Sequence, residues 1–533
     1  MRTERVILLS GHISSGKSTL ANGLAQRYGM NIFKTRDVLL RRVKELNQNR
    51  RNLQLAGDKL DKKTKGSWII DELLRWLPSH SSDFAIIVDS IRTSDQASSL
   101  RSAFGSRVVH VHLISPLEEL EKRFASRPGT EGIKGYSDAL QNETESHVDD
   151  LADIADVVID TKRCSPEDVL VRAASHLKLN PDMLGFVDVV VGGQYGSEGK
   201  GQIAAYLSCE YDLLVRVGGP NAGHKVYEEP EPFTHHQLPS GTRRCEVPLL
   251  IGPGATINVE KLLEEVAKCK VGCDRLRIDP NTMIITKADI TAEKRSLNSI
   301  GSTTQGVGVA MSRRITGRLK SKPPLLARDI SMLRPYLGSA LETLADVFSK
   351  GGRVLLEGTQ GAGLSLYHGF YPHVTSRDTN VSGCLAEAGI PPSRVRRIVM
   401  VCRTYPIRVE SPIGGSSGPM SQEITMEEIS RRSEKSAAEI QQTEITSTTY
   451  RKRRIGEFEW DLLRKATLLN GPTDIALTFA DYLSAENERA KRFEQLTEET
   501  IRFVQEVERV ASVSVSLIAT GFNYRSIIDR RSW

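Results

Sequence analysis

No stretch of the 533-residue chain approaches the roughly 20 consecutive apolar residues that cross a bilayer, which argues against a membrane-spanning helix. The N-terminal apolar run, Val6 to Leu9, is too short and wrongly flanked for a signal peptide. Cysteine is scarce: there are 7, and the only close pair is Cys269 and Cys273. An odd count with one lone C-x-x-x-C is poor material for a disulfide framework or a zinc site, so idle thiols and a cytoplasmic location are expected. An excess of one charge is also missing. Lys and Arg number 72 against 66 Asp and Glu, and the resulting +6 is spread over the whole length. That balance suits anionic small molecules better than a nucleic-acid track, which concentrates its basic residues on one face. With 39% hydrophobic and 26% charged residues the composition is that of a soluble globular protein, and the length favours two or three units.

Near the N-terminus, Arg5-Val-Ile-Leu-Leu-Ser10 reads as a short buried parallel strand. It runs directly into Gly11-His-Ile-Ser14-Ser15-Gly16-Lys17-Ser18, which satisfies G-x-x-x-x-G-K-[ST], and a helix from Thr19 to Tyr28 follows. Glycines let successive backbone N–H groups curl around phosphates, Lys17 reaches the outer phosphates, and the Ser18 hydroxyl suits Mg²⁺. Strand before and helix after distinguish this loop from a chance glycine-rich turn. A second apolar strand, Ala85 to Asp89, ends in an acid placed for a metal-bound water, and Ala155 to Asp160 reads as a last strand. Arg123 and Arg127 lie four apart on a predicted helix and are candidate lid arginines over a transferring phosphate; a solvated helix face is the alternative. Asp37, near Arg36, and Arg51 are candidate acceptor contacts. Residues 4 to 176 resemble the P-loop nucleotide kinases as a group, with a (deoxy)nucleoside monophosphate as the first choice of acceptor.

A Pro- and Gly-bearing segment, residues 179–185, separates this domain (1–178) from a second (186–533). Phe186-Val-Asp-Val-Val-Val191 is again a buried strand, and Gly192-Gly-Gln194-Tyr195-Gly196-Ser197-Glu198-Gly199-Lys200-Gly201 is a second phosphate loop that does not fit the first loop's pattern. It is followed in order by Gly218-Gly-Pro-Asn221-Ala-Gly223-His224, Leu238-Pro-Ser-Gly241, Ile251-Gly-Pro-Gly254, Gly301-Ser-Thr303, Leu356-Glu-Gly-Thr-Gln360 and Tyr371-Pro-His-Val-Thr375. Tyr405-Pro-Ile-Arg408, Thr448-Thr449-Tyr-Arg451-Lys-Arg453-Arg454 and Thr520-Gly521 complete the series.

Taken together these motifs resemble the adenylosuccinate synthetase family, in particular its compact archaeal and phage branches, whose loop reads G-x-Q-W-G-D-E-G-K-G. The resemblance implies an α/β fold and a ligase. In that reaction the purine O6 attacks the γ-phosphate of ATP or GTP with Mg²⁺, and the amine of L-aspartate then displaces phosphate at C6. It assigns catalysis to His224, Ser197, Lys200 and Gln360. The nucleotides and their phosphates fall to Gly196, Glu198, Gly199, Gly201, Asn221, Thr303, Thr375, Arg408, Asp481, Thr520 and Gly521. Ser197 and the Gly223 carbonyl are the candidate metal contacts in this domain. Thr448, Thr449, Arg451 and Arg453 are assigned to aspartate, which paired guanidiniums suit because each forks onto a carboxylate. A nuclear-localisation or RNA patch is the alternative for the basic run. A homodimer is implied as well, with Arg313, Arg314 or Arg318 reaching a neighbouring substrate phosphate.

Two departures from the family matter. Ser197 replaces an aspartate that serves as base, and a hydroxyl cannot take a proton at neutral pH unaided. The unit is therefore a silenced nucleotide sensor, or uses another proton acceptor, or takes a different substrate. A small neutral residue leaves room for a guanine 2-amino group, and the same serine occurs in the phage branch acting on dGMP, so a dGMP-type acceptor stands ahead of IMP. Thr478-Phe479-Ala480-Asp481 keeps the acid of the family's guanine-reading T-K-x-D but lacks its lysine, which leaves ATP and GTP both open as donor.

Overall fold

A computed structural model describes residues 5–42, 50–77, 85–126, 136, 147–177, 179, 185–227, 231–296, 302–319, 323–411, 416–444 and 452–533. The chain divides into two compact units, Met1–Pro181 and Asp182–Trp533, with the junction inside the segment read as a linker. Arg127, Thr448, Thr449, Arg451 and the side chain of Arg51 lie outside the described residues. No helix among those described is long and apolar enough to cross a membrane.

In the first unit five parallel strands are ordered Asn31–Lys34, Ala85–Asp89, Arg5–Gly11, Val108–Ile114, Val157–Asp160. The central strand is apolar along its length because both its faces are covered; Val6, Ile7, Leu8 and Leu9 are fully buried. It pairs with Ala85–Asp89 on one side and Val108–Ile114 on the other, so the chain leaves it where the strand order reverses. Open α/β sheets bind ligands at that switch point. The following helix, Lys17–Tyr28, begins at the phosphate loop and stops at Gly29, whose left-handed φ of 66° lets its N–H cap the Ala25 carbonyl.

The second unit is built on nine strands. Their order is Leu276–Ile278, Leu249–Ile251, Leu213–Arg216, Arg353–Glu357, Phe186–Gly192, Val395–Arg403, Asp474–Thr478, Val515–Ala519, Ile527–Asp529. All neighbours are parallel except the last pair. Phe186–Gly192 is central, and its side chains feed the two cores alternately, Val187, Val189 and Val191 to one face and Val190 to the other. A separate antiparallel sheet joins Ile407–Val409, Arg453–Gly456 and Glu423–Ile424. Its register sets Ile407 against Ile455 on a buried face and Arg408 against Arg454 on the other. Arg453 and Arg454 of the basic run thus begin a strand, with successive side chains on opposite faces.

Candidate active sites

In the first unit the phosphate loop holds left-handed backbone at Gly11, Ser14 and Gly16. A Cβ at Gly11 would sit 2.3 Å from the Leu113 carbonyl oxygen, so only glycine fits there. Lys17 Nζ donates to the Gly11 and His12 carbonyls at 2.6 and 2.7 Å, curled over the loop that phosphate would fill. The loop opens on a cavity of about 1260 Å³ whose wall includes Lys17, Ser18, Arg36, Asp37, Asp89 and Arg123. Ser18 and Asp89 facing one space suit a Mg²⁺ that arrives with phosphates.

Arg123, the described member of the two candidate lid arginines, lines this cavity. It donates to the Thr161 hydroxyl and carbonyl at 3.0 and 2.8 Å and to Glu119 at 3.0 Å, which fastens it to the end of the last strand as a fixed part of the wall. Spacing alone could place it on a helix but could not show the partner 38 residues on.

In the second unit the loop after Phe186–Gly192 is shaped by left-handed residues Gly196, Ser197 and Gly199 before the helix Lys200–Leu207 starts. Glu198 is fully buried. Its Oε1 accepts from the Gln194 and Gly196 N–H groups at 3.1 and 2.8 Å, while Oε2 pairs with the buried Lys200. Gln194 ties the loop to the neighbouring strand through the Arg403 carbonyl and N–H, both at 3.0 Å. Gln360, also at positive φ, lies against the loop, since a Cβ on Gly192 would fall 2.4 Å from its carbonyl oxygen.

His224 packs on the first turn of that helix: a Cβ on Gly201 would come within 2.7 Å of the histidine Cβ. Its Nδ1 lies beside Glu357 Oε1 and 2.8 Å from Arg216 Nη1, and Arg216 also donates to Glu357 at 2.7 Å. The Ser240 N–H closes the cluster on Glu357 Oε2 at 2.7 Å. Nε2 is therefore the ring nitrogen outside this cluster. Burial, with Arg216 adding to it, pushes His224 down to about 4 against the pull of Glu357. Burial alone would raise Glu357, but Arg216 and His224 outweigh it and hold the carboxyl at about 2. The sequence reading gave Glu357, Arg216 and Ser240 no role, although two of them sit inside quoted motifs.

Ser197 and Arg453, far apart in sequence, meet with Arg453 Nη2 3.5 Å from the serine Oγ. The loop with Lys200, the histidine packed against its helix and the strand Arg453–Gly456 therefore converge. A hydroxyl beside a guanidinium is a poor Mg²⁺ ligand, so Ser197 does not fit the metal role; any metal there depends on phosphate oxygens and carbonyls such as that of Gly223. No cluster of three or more His, Cys, Asp or Glu placed for a metal occurs among the described residues.

Arg408 is buried over the Tyr195 ring at 4.0 Å and donates to the Ser417 carbonyl, with Nε and Nη2 unpartnered. Asn221 donates to the Thr375 hydroxyl at 3.4 Å and keeps an unpartnered Oδ1. Such orphaned buried groups are places a polar ligand fits. Thr303 begins the turn into the helix Val307–Thr316. Gln202 Nε2 donates to the Gly521 carbonyl at 2.8 Å, bringing the Thr520-Gly521 turn to the same helix. Asp481 is buried 2.9 Å from Lys435, a cation in place of the missing lysine. Burial raises the Asp481 carboxyl to about 6 despite that neighbour. Phe479 lies under the Arg403 guanidinium and edge-on to Phe522. Of the arginines considered for a neighbouring substrate, Arg313 pairs with Asp289 and Arg314 donates to the Pro253 and Asn281 carbonyls. Arg318 contributes only an Nε bond to the Ile315 carbonyl among the described residues.

Comparison with known proteins agrees with this architecture. The adenylosuccinate synthetase family model matches residues 189–320 and 326–488, and an AAA domain model matches residues 6–150. The adenylosuccinate synthetase of Methanococcus aeolicus is 36% identical over 352 residues, covering 64% of this chain and 99% of the relative. That of Pyrococcus horikoshii is 35% identical over 351 residues, covering 64% and 98%. Among solved structures, the succinoaminodeoxyadenylate synthetase of cyanophage S-2L, bound to dGMP and to dATP as an energy donor, matches with a TM-score of 0.55 and 26% identity. That match spans 66% of this chain and 96% of the phage protein. The fully ligated adenylosuccinate synthetase of Plasmodium falciparum shares the fold, with a TM-score of 0.57 at 22% identity over 65% of this chain and all of that one. Through its second unit the chain belongs to the adenylosuccinate synthetase family, and its first unit is a kinase-like P-loop domain.

Proposed function

We propose that the second unit joins L-aspartate to a 6-oxopurine nucleoside monophosphate, with a (d)GMP-type acceptor preferred to IMP. The observation that carries this reading is Ser197, on the phosphate loop, facing Arg453. A neutral, short side chain leaves space beside N1 for the guanine 2-amino group, and the phage protein bound to dGMP supports the same choice. O6 forms a bond to the γ-phosphorus while the bond to the departing diphosphate breaks. The aspartate amine then attacks C6, and the C6–O bond breaks to release phosphate. The loop N–H groups and Lys200 hold phosphate oxygens, His224 Nε2 faces the charge that develops on them, and Arg453 takes a carboxylate of aspartate. At neutral pH the Ser197 hydroxyl can share a hydrogen bond but cannot take up the N1 proton, so that proton leaves to another group.

The Lys435 ammonium 2.9 Å from Asp481 offsets the negative charge that would draw guanine N1 and N2 hydrogens, although neither carboxylate oxygen carries a hydrogen bond, and the phage protein is bound to dATP as an energy donor. Both favour an adenine triphosphate as donor. The first unit is read as a kinase that moves a γ-phosphoryl group to a nucleoside monophosphate. Lys17 would neutralise the phosphates, and the cavity extends from the loop to Arg36 and Asp37.

The test is an end-point assay by mass spectrometry of dGMP, GMP and IMP with aspartate, Mg²⁺ and either ATP or GTP. A succinylated purine with phosphate release is expected, greatest with the guanine acceptors. Tight binding of acceptor and triphosphate without any product would instead identify a silenced nucleotide sensor. Ser197→Asp adds a check, because gain of IMP turnover is expected if this position selects the acceptor.

A further inference from the structure

Glu444 terminates the helix Ala437–Thr443, and its N–H donates to the Ile440 carbonyl at 2.9 Å. It is fully buried and lies between two arginines from different strands. Arg403, itself fully buried at the end of Val395–Arg403, pairs with Glu444 Oε1; Arg453, at the start of Arg453–Gly456, donates from Nη1 to Oε2 at 3.0 Å. The same Nη1 also donates to the Thr443 carbonyl at 3.2 Å. One end of the Arg453 guanidinium is thereby saturated.

The other edge is not. Arg453 Nε is buried without a partner, and Nη2 has only the long 3.5 Å approach to Ser197 Oγ. An Nε–Nη2 edge is a side-on fork that matches the two oxygens of a carboxylate. The side chain facing it is the neutral Ser197 hydroxyl, which leaves the edge open. Arg403 and Arg453 would repel one another without the carboxylate between them, so the direction in which Arg453 points depends on Glu444.

We propose that Glu444 is a positioning residue for the amino-acid co-substrate: by engaging Nη1 of Arg453 it turns the Nε–Nη2 edge toward Ser197, where it receives a carboxylate of aspartate. This rests on the ligase reading above. Glu444 touches no reacting atom and acts through Arg453 alone.

The experiment measures steady-state constants for each of the three substrates in the full-length protein and in Glu444→Gln, Arg453→Ala and the double variant. Glu444→Gln is expected to raise the KM for aspartate by about 10- to 100-fold, with the KM values for monophosphate and triphosphate within about twofold. In the Arg453→Ala background the same change is expected to add almost nothing, because the residue through which it acts is gone. Equal increases for all substrates, or an undiminished effect without Arg453, would overturn the assignment and leave Glu444 a purely structural counter-ion. If Glu444→Gln does not fold, Glu444→Asp decides: it keeps the charge but withdraws from Arg453, and an unchanged aspartate KM refutes the proposal. Absence of aspartate-dependent product in the unaltered protein is a different outcome, which refutes the ligase reading instead.

Discussion

Glu357→Gln removes one charge from the His224 cluster with almost no change of shape. The carboxylate faces four donors: Arg216 Nη1, His224 Nδ1, Ser240 Oγ and the Ser240 N–H. A carboxamide has a single acceptor oxygen, so its NH₂ group must turn toward at least one of those donors, and Arg216, only 2% exposed, loses its counter-charge. Breaking a buried pair from one side costs about 3–5 kcal/mol. For a unit of this size that is a fall in Tm of about 4–7 °C. The imidazole loses both its orientation and the negative charge that supports an imidazolium, so turnover of the ligase is expected to drop by about 100- to 10,000-fold, while the monophosphate KM changes little. Calorimetry gives the first quantity and phosphate release the second. Unaltered turnover with the predicted loss of Tm would show that the cluster is structural and that His224 is not the group acting on phosphate. A loss carried wholly by KM would refute the argument for transition-state action.

Lys17→Ala should abolish phosphoryl transfer by the first unit while leaving aspartate-dependent phosphate release intact, measured by following labelled triphosphate into each product separately. Lys435→Met should shift the ratio of kcat/KM for ATP and GTP toward GTP by about tenfold, the scale of one buried polar contact, with the aspartate KM unmoved; an unchanged ratio would remove Lys435 from donor choice. Burial lowers His110, His112, His224 and His236 to about 4 and His235 to about 3, from 6.5 in the unfolded chain. Because the folded values lie below the unfolded ones, the associated stability is full above pH 6.5 and falls as the unfolded state takes up protons between pH 6.5 and 4. Tm measured across that window should decline steeply, before the carboxylates held near pH 2 at Glu357 and Glu444 titrate.

The two phosphate loops were legible because their chemistry is local: an apolar strand, glycines at positive φ and a helix start all fall within about 20 residues. The basic strand was legible as a candidate aspartate contact only through family resemblance. Its alternation, with Ile455 inward and Arg454 toward Glu423, required the antiparallel partner that fixes the register. What stayed hidden was pairing at a distance. Glu357 lies 133 residues from His224, Glu444 lies 41 from Arg403, and Lys435 follows a turn with no marked sequence pattern before it reaches Asp481. The Thr161 partner of Arg123 stayed hidden for the same reason, since helical spacing names a face but not the carbonyl that the guanidinium meets.

Buried charge also bears on whether Ser197 silences the second unit. Ion pairs taken out of water contribute little net stability, and well-packed apolar residues of similar volume usually do as well or better. A protein that merely binds nucleotides gains nothing from holding Arg216, His224 and Glu357 in one dry cluster and Arg403, Glu444 and Arg453 in another. Both clusters leave one nitrogen group outside their own bonding, Nε2 of the histidine and the Nε–Nη2 edge of Arg453, for the transferring phosphate and the incoming carboxylate. Loss of the acid at 197 removes one proton acceptor but leaves both of these groups oriented. The expense of keeping them so is better explained by turnover than by binding alone. Coordinates of the complex with dGMP, a triphosphate analogue and aspartate that placed the phosphate away from His224, or the carboxylates away from Arg453, would reverse that judgement.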